Sequence, residues 1–173
     1  YEDADPEDLL LHAEQLIFKE GYRFVPYELI YYHPGAIERL SPDRIIDLGK
    51  GINDSSSADI YAQFILGPTW NKHIITDKHI DQWIASDDLW QRRAAIVSTL
   101  YLDGDIERML RYTEDLVDDR EDPIIKALSL VLRSAINIDR DAVLNFLETH
   151  EARLKPRILS EVRNKTTIGE KTY

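Results

Sequence analysis

Four apolar stretches recur along the chain at nearly constant spacing. ELIYYHPGAIERL begins at Glu28, ADIYAQFILGP at Ala58, LWQRRAAIVSTLYL at Leu89 and PIIKALSLVLRSAI at Pro123, at intervals of 30, 31 and 34 residues. Each run carries small residues near its middle and follows a more polar helical stretch. A helix pair of this length cannot bury its apolar face alone, whereas like pairs stacked on one another can. The pattern therefore predicts an all-α fold, a stack of HEAT-like helix pairs forming an α-solenoid, as one repeat domain over residues 1–173. An irregular helical bundle is the alternative.

The punctuation agrees with helices throughout. Asp5-Pro6, Ser41-Pro42 and Asp122-Pro123 each pair a capping side chain with proline at the first helical position. Thr76, Ser86 and Asp139 precede further periodic runs. Gly21, Gly35, Gly51, Gly67 and Gly104 fall where helices are expected to stop. No alternating strand and no Asn-Gly or Asp-Gly hairpin is evident, and YLDGDIE reads as a helix-to-helix turn.

Composition narrows the chemistry. The chain has no cysteine, which excludes disulfides, thiolate metal sites and Cys nucleophiles. That suits a cytoplasmic protein. No apolar run reaches transmembrane length and no signal-peptide pattern opens the sequence. The absent initiator methionine suggests an N-terminal segment outside this sequence. The five histidines are scattered, at 12, 33, 73, 79 and 150, without metal-site spacing, so neither a metal nor any other cofactor is expected. Phosphate-binding glycine loops and Gly-x-Ser-x-Gly elbows are missing too.

The net charge of −11 argues at first against nucleic acid. Its distribution is uneven, however. Residues 1–60 carry −8 and residues 61–150 carry −6, while residues 151–173 carry +3. RLKPRILSEVRNK is the most basic stretch.

Two charged residues stand out within apolar runs. Asp59 ends SSSAD, where Ser56 and Asp59 fit a Ser-x-x-acid capping box. Read functionally, it is a carboxylate near a helix start. Arg93 lies in LWQRRAAI, against two alanines. It is either a salt-bridge partner of Asp59, Asp87 or Asp88, or a phosphate clamp, which suits a planar guanidinium. Arg92 is expected to face solvent or a neighbouring repeat's acid. Lys126 and Arg133, one repeat later, and Arg163 beyond them would extend a phosphate-tracking stripe. Trp70, Trp83 and Trp90 are expected to fill the core.

WIASDDLWQRRAAIV, KALSLVLR and EVRNKTTIGEK together resemble the AlkD-type DNA alkylation-repair glycosylases, over roughly Glu28 to Lys171. The resemblance implies a right-handed superhelix of HEAT-like repeats whose concave face grips duplex DNA. It implies hydrolysis of the N-glycosidic bond of cationic N3- or N7-alkylated purines without base flipping. It places the catalytic aspartate on Asp59 and the backbone-contacting arginine on Arg93. Two tryptophans that line the family's cleft are replaced here by Ser55 and Leu130. The expected partner is duplex DNA, bound by a monomer and away from membranes. The alternative is a catalytically inactive repeat module that binds DNA structures or a protein partner, a basic one if the acidic N-terminal half is its docking surface.

Overall fold

The computed structural model describes residues 3–170, with side chains described as far as Thr167. Lys171, the end of the resembling segment, lies outside the described residues. Helices and the turns between them make up the described residues, with no strand among them.

The chain divides into two compact units at the YLDGDIE turn, one ending at Leu102 and the other starting at Asp103. Asp103 and Gly104 turn the backbone there with φ of 50° and 82°. The second value is one that glycine adopts without a Cβ clash.

The first unit holds α1 (Pro6–Phe18), α2 (Phe24–Tyr32), α3 (Pro42–Leu48), α4 (Ser55–Tyr61), α5 (Gly67–Asn71), α6 (Asp77–Ile84) and α7 (Leu89–Ser98). α4 and α5 are one continuous run joined by a wide, π-type turn over Ala62–Leu66. α7 passes directly into a tight 3-10 turn, Thr99–Tyr101. The second unit holds α8 (Ile106–Asp115), α9 (Asp122–Ala135), α10 (Arg140–Thr149) and α11 (Pro156–Glu170).

Helix starts follow the polar caps. Asp5 accepts from the backbone of Glu7 and Asp8, and Ser41 accepts from Arg44. Thr76 forms a capping box with His79, and Asp139 caps α10 through Ala142. Four expectations need correction. α4 is capped by Asp54 through Ser57 N at 2.9 Å, and Ser56 forms no capping box with Asp59. α7 is capped by Asp88, while Ser86 accepts from the Asp88 amide one step earlier. Asp122 is itself the first residue of α9, following Glu121. Gly67 ends nothing, since its φ of −61° keeps the chain helical.

A repeat governs the packing within each unit. Tyr27 meets Tyr61, Asp59 meets Arg93, Glu38 meets Lys72 and Gly67 meets Tyr101, each pair 34 residues apart. Contacts that advance together along two helices require them to run parallel. The α4–α5 run and α7 are therefore equivalent helices of consecutive repeats. In the second unit Asp122 meets Arg157 and Ser129 meets Glu161, so α9 and α11 run parallel as well. This is solenoid-like stacking, in which apolar faces bury against the next copy.

In the first unit Leu10, Ile30, Ile45, Ile65, Ile80 and Ile96 are fully buried. Trp70 and Trp83 join that core as expected, whereas Trp90 is half-buried. The short helix α3 ends against two phenols: Tyr61 donates to the Ile45 carbonyl at 2.6 Å and Tyr27 to that of Leu48 at 2.7 Å. Those bonds satisfy carbonyls that a helix end leaves without an intrahelical partner.

Candidate catalytic pair

α4 and α7 begin at Ser55 and Leu89, each behind an aspartate cap, at Asp54 and Asp88. The two starts and the two caps share the 34-residue period. Parallel helices that start level place equivalent positions side by side, and the fifth residues of the two helices are Asp59 and Arg93. Arg93 donates from Nε to Asp59 Oδ1 at 2.9 Å and from Nη2 to Oδ2 at 2.8 Å. This is the two-pronged pairing for which a guanidinium fork is shaped.

The two partners differ in exposure. The Arg93 side chain is 7% exposed and that of Asp59 is 35% exposed. Ala94 and Ala95 are buried beside Arg93 and leave room for the guanidinium to lie within the helix layer. The carboxylate is thus the member of the pair that meets solvent, fixed in orientation by a cation behind it. Arg92 serves a different end. It turns back and donates to the carbonyls of Ser86 at 2.8 Å and Asp87 at 3.1 Å, pinning the loop that leads into α7.

A third residue belongs to this neighbourhood, and the sequence reading missed it. Tyr101, in the turn after α7, is half-buried. Burial, and after it the negative charge of Asp59, push its hydroxyl above the ordinary tyrosine range, so the phenol stays protonated at neutral pH. Gly67 positions it. A Cβ built on Gly67 would lie 2.7 Å from Tyr101 Cβ and 3.2 Å from the Ser98 carbonyl oxygen. Only glycine admits so close a crossing. The signal available in the sequence was the 34-residue offset of Gly67 from Tyr101, the same as that of Asp59 from Arg93.

Ser55 opens α4 one turn before Asp59 and is half-exposed. The remaining candidates belong to the second unit. Lys126, Leu130 and Arg133 fall at helical spacing along one face of α9, and Leu130 is half-exposed. Lys126 pairs with Asp122 at 2.6 Å, and Arg133 donates to the Ser129 carbonyl at 3.2 Å. Arg163, on α11, pairs with Glu151 at 2.8 Å. No group of three or more His, Asp or Glu side chains among the described residues is arranged to hold a metal. No helix among them is long and apolar enough to cross a membrane.

The arrangement offers an oriented carboxylate able to stabilise positive charge that approaches from solvent. A family model described as DNA alkylation repair enzyme matches residues 22–165, a span that includes Asp59, Arg93 and every candidate cation of the second unit. No curated protein matches the chain. With more than three-quarters of its length inside that match, the chain belongs to the family of DNA alkylation repair enzymes, with a role in DNA repair and DNA as its substrate or partner.

Proposed function

We propose that this protein is an alkylpurine DNA glycosylase that cleaves the N-glycosidic bond of purines made cationic by N3 or N7 alkylation, in duplex DNA and without flipping the base. The observation that carries the reading is the Asp59 carboxylate, partly exposed and held in one orientation by Arg93. As the C1′–N9 bond breaks, its electron pair moves onto the base and cancels the positive charge there. The sugar becomes oxocarbenium-like, water adds at C1′, and the water's proton leaves to solvent. Asp59 stabilises the sugar charge as it develops.

The magnitude depends on Arg93. A carboxylate about 4 Å from the sugar cation contributes roughly 4 kcal/mol at an effective dielectric of about 20. A guanidinium about 8 Å away opposes it by roughly 2 kcal/mol on the same scale. The net of about 2 kcal/mol corresponds to roughly thirtyfold in rate. The full 4 kcal/mol, about a thousandfold, becomes available when a DNA phosphate takes up the arginine's charge. Substrate binding and catalysis are coupled through that compensation: Arg93 is the backbone clamp, and a phosphate drawn toward it offsets its charge while the paired guanidinium keeps Asp59 oriented. Lys126, Arg133 and Arg163 contact further phosphates, each exchanging a carboxylate or carbonyl partner for the DNA backbone.

The test is incubation with duplex DNA carrying 7-methylguanine, scored for free base, beside a binding titration at several salt concentrations. Release of 7-methylguanine with salt-sensitive binding is the expected result. Folded protein that binds the duplex and releases no base would instead support the non-catalytic module, which the Ser55 and Leu130 replacements favour.

A further inference from the structure

We infer that the outer face of the α1–α2 helix pair docks a basic amphipathic helix of a partner protein. One apolar side chain of that helix enters the cavity between α1 and α2, and its lysines or arginines meet the acids around it. The inference is independent of the glycosylase reading and uses neither member of the catalytic pair.

Among the described residues eight large apolar side chains stand exposed, and seven of them fall between Leu11 and Tyr32; the eighth is Ile138. A terminal helix pair of a solenoid is normally polar on its outer face, because no neighbouring repeat covers it. Here the spacing gathers apolar groups instead. Val25, Leu29 and Tyr32 follow one another at helical intervals on α2, and Leu11 and Phe18 stand two turns apart on α1. Val25 is 55% exposed and Tyr32 is 62% exposed. Tyr32 is held from behind, packing edge to face on Tyr31 at 4.9 Å and against Phe64 at 6.1 Å. Between the two helices opens a cavity of about 230 Å³, lined by Ala4, Asp8, Leu9, His12 and Leu29. Its Ala4 wall is fixed by His33, whose Nε2 donates to the Ala4 carbonyl at 3.1 Å. A cavity of about 150 Å³ holds a benzene ring, so this one has room for an aromatic or leucine side chain. Anchors of that kind in preformed pockets carry most of the energy of an interface.

Charge identifies the partner. Between Asp3 and Tyr32 the chain carries seven acids against Lys19 and Arg23. Arg23 is turned inward, donating to the carbonyls of Leu48 and Lys50. Glu7 and Glu14 are taken by Arg44. Asp8, exposed in the cavity wall, pairs with no described basic side chain, and neither do Glu20 and Glu28. A basic segment complements that rim. A second copy of the chain, at net charge −11, would bring the same acids against their like, and duplex DNA is opposed in the same way.

The test titrates the protein, by calorimetry at physiological salt, with three synthetic peptides of equal length. One places leucines along one helical face and lysines on the other, making a basic amphipathic helix. The second has glutamate for each lysine. The third holds the residues of the first in an order that gives no apolar face. Wild type should bind the first at least about tenfold more tightly than either of the others, the scale of one hot-spot anchor. The double variant Val25→Ser, Tyr32→Ser should lose about tenfold in affinity for the first peptide on the same scale, with its thermal midpoint unchanged. Leu11→Ser with Phe18→Ser, on α1, serves where that variant lowers the midpoint. Asp8→Asn with Glu28→Gln should weaken the first peptide more than Asp141→Asn with Glu148→Gln, which removes the same charge from the second unit. Ordered and shuffled peptides binding alike, or not at all, overturn the inference. So do equal effects of the near and remote neutralisations, or full affinity in a folded serine variant. A wild-type dimer that Val25→Ser with Tyr32→Ser returns to monomer overturns it in favour of a second copy, and displacement of the peptide by duplex DNA overturns it in favour of nucleic acid. None of these outcomes bears on base release at Asp59.

Discussion

At the residue scale the central object is an ion pair whose members occupy equivalent positions in consecutive repeats. Arg93 is nearly buried and Asp59 is not, so removing the acid takes two charge-assisted hydrogen bonds from a buried cation. Asp59→Ala should therefore cost about 1–3 kcal/mol of stability in urea unfolding, the range for hydrogen bonds to charged groups. Asp59→Asn should cost less, because its carbonyl oxygen still accepts one bond. Equal midpoints for Asp59→Ala and wild type would show that Arg93 does not need its partner. Gly67→Ala should destabilise by about 1–3 kcal/mol through overpacking against Tyr101 and the Ala62 carbonyl. The pairing of Asp59 with Arg93 was one of the options legible in the sequence, since both charges sit oddly in apolar runs. Gly67 was misread as a helix stop because glycine signals both termination and close packing, and one chain alone does not separate the two. Tyr101 was overlooked because nothing local marks it; only its register against Gly67 does.

At the scale of elements, the helix pattern was readable and its exact starts were not. Apolar periodicity located helices in each repeat, but ELIYYHPGAIERL, read as one helical run, breaks after Tyr32 and resumes as a 3-10 turn at Ile37–Arg39, and capping competes among adjacent polar residues. In NDSSSAD, five polar side chains precede Asp59, and the one that wins is Asp54, whose carboxylate takes both the amide and the hydroxyl of Ser57, at 2.9 and 2.5 Å. Asp54→Ala should cost about 1 kcal/mol of stability and Ser56→Ala a few tenths at most. The cap also carries a pH signature. The hydrogen bonds from Ser57, first the side chain and then the backbone, hold the Asp54 carboxyl below its ordinary value of 3.8. A depressed folded-state pKa stabilises the fold above the unfolded value and is lost as pH falls through the folded one. The Asp54 contribution should thus be complete at neutral pH and fade below about pH 4, and urea midpoints of wild type and Asp54→Ala should converge there. The π-type turn at Ala62–Leu66 left no trace in the periodicity, because one wide turn shifts the register by less than the scatter of apolar positions. Yet that turn leads into Gly67 and so into the contact with Tyr101.

At the scale of the molecule, a chain of net charge −11 has to bind a polyanion. Cations proposed to meet phosphate are already engaged: Lys126 with Asp122 and Arg163 with Glu151. Binding then exchanges one anion for another at each site, and affinity should be weak at physiological salt and steep in its salt dependence. Replacing Lys126 with Gln should reduce the slope of log K against log salt by about one, and weaken all DNA sequences alike. An unchanged slope would remove Lys126 from the interface. The repeat architecture was legible from the spacing of four apolar runs, because stacking demands that each copy present the same face. The observed period of 34 residues in the first unit was blurred to 30 and 31 in the sequence, since the runs were aligned on their apolar starts and not on the residues that meet across the repeats. The most direct measurement of the central claim is the single-turnover release of 7-methylguanine by wild type and by Asp59→Asn at saturating DNA. Loss of between about thirtyfold and a thousandfold in rate, with duplex affinity no weaker than that of wild type, is the predicted result. Equal rates for the two proteins would contradict a catalytic role for the carboxylate that Arg93 holds.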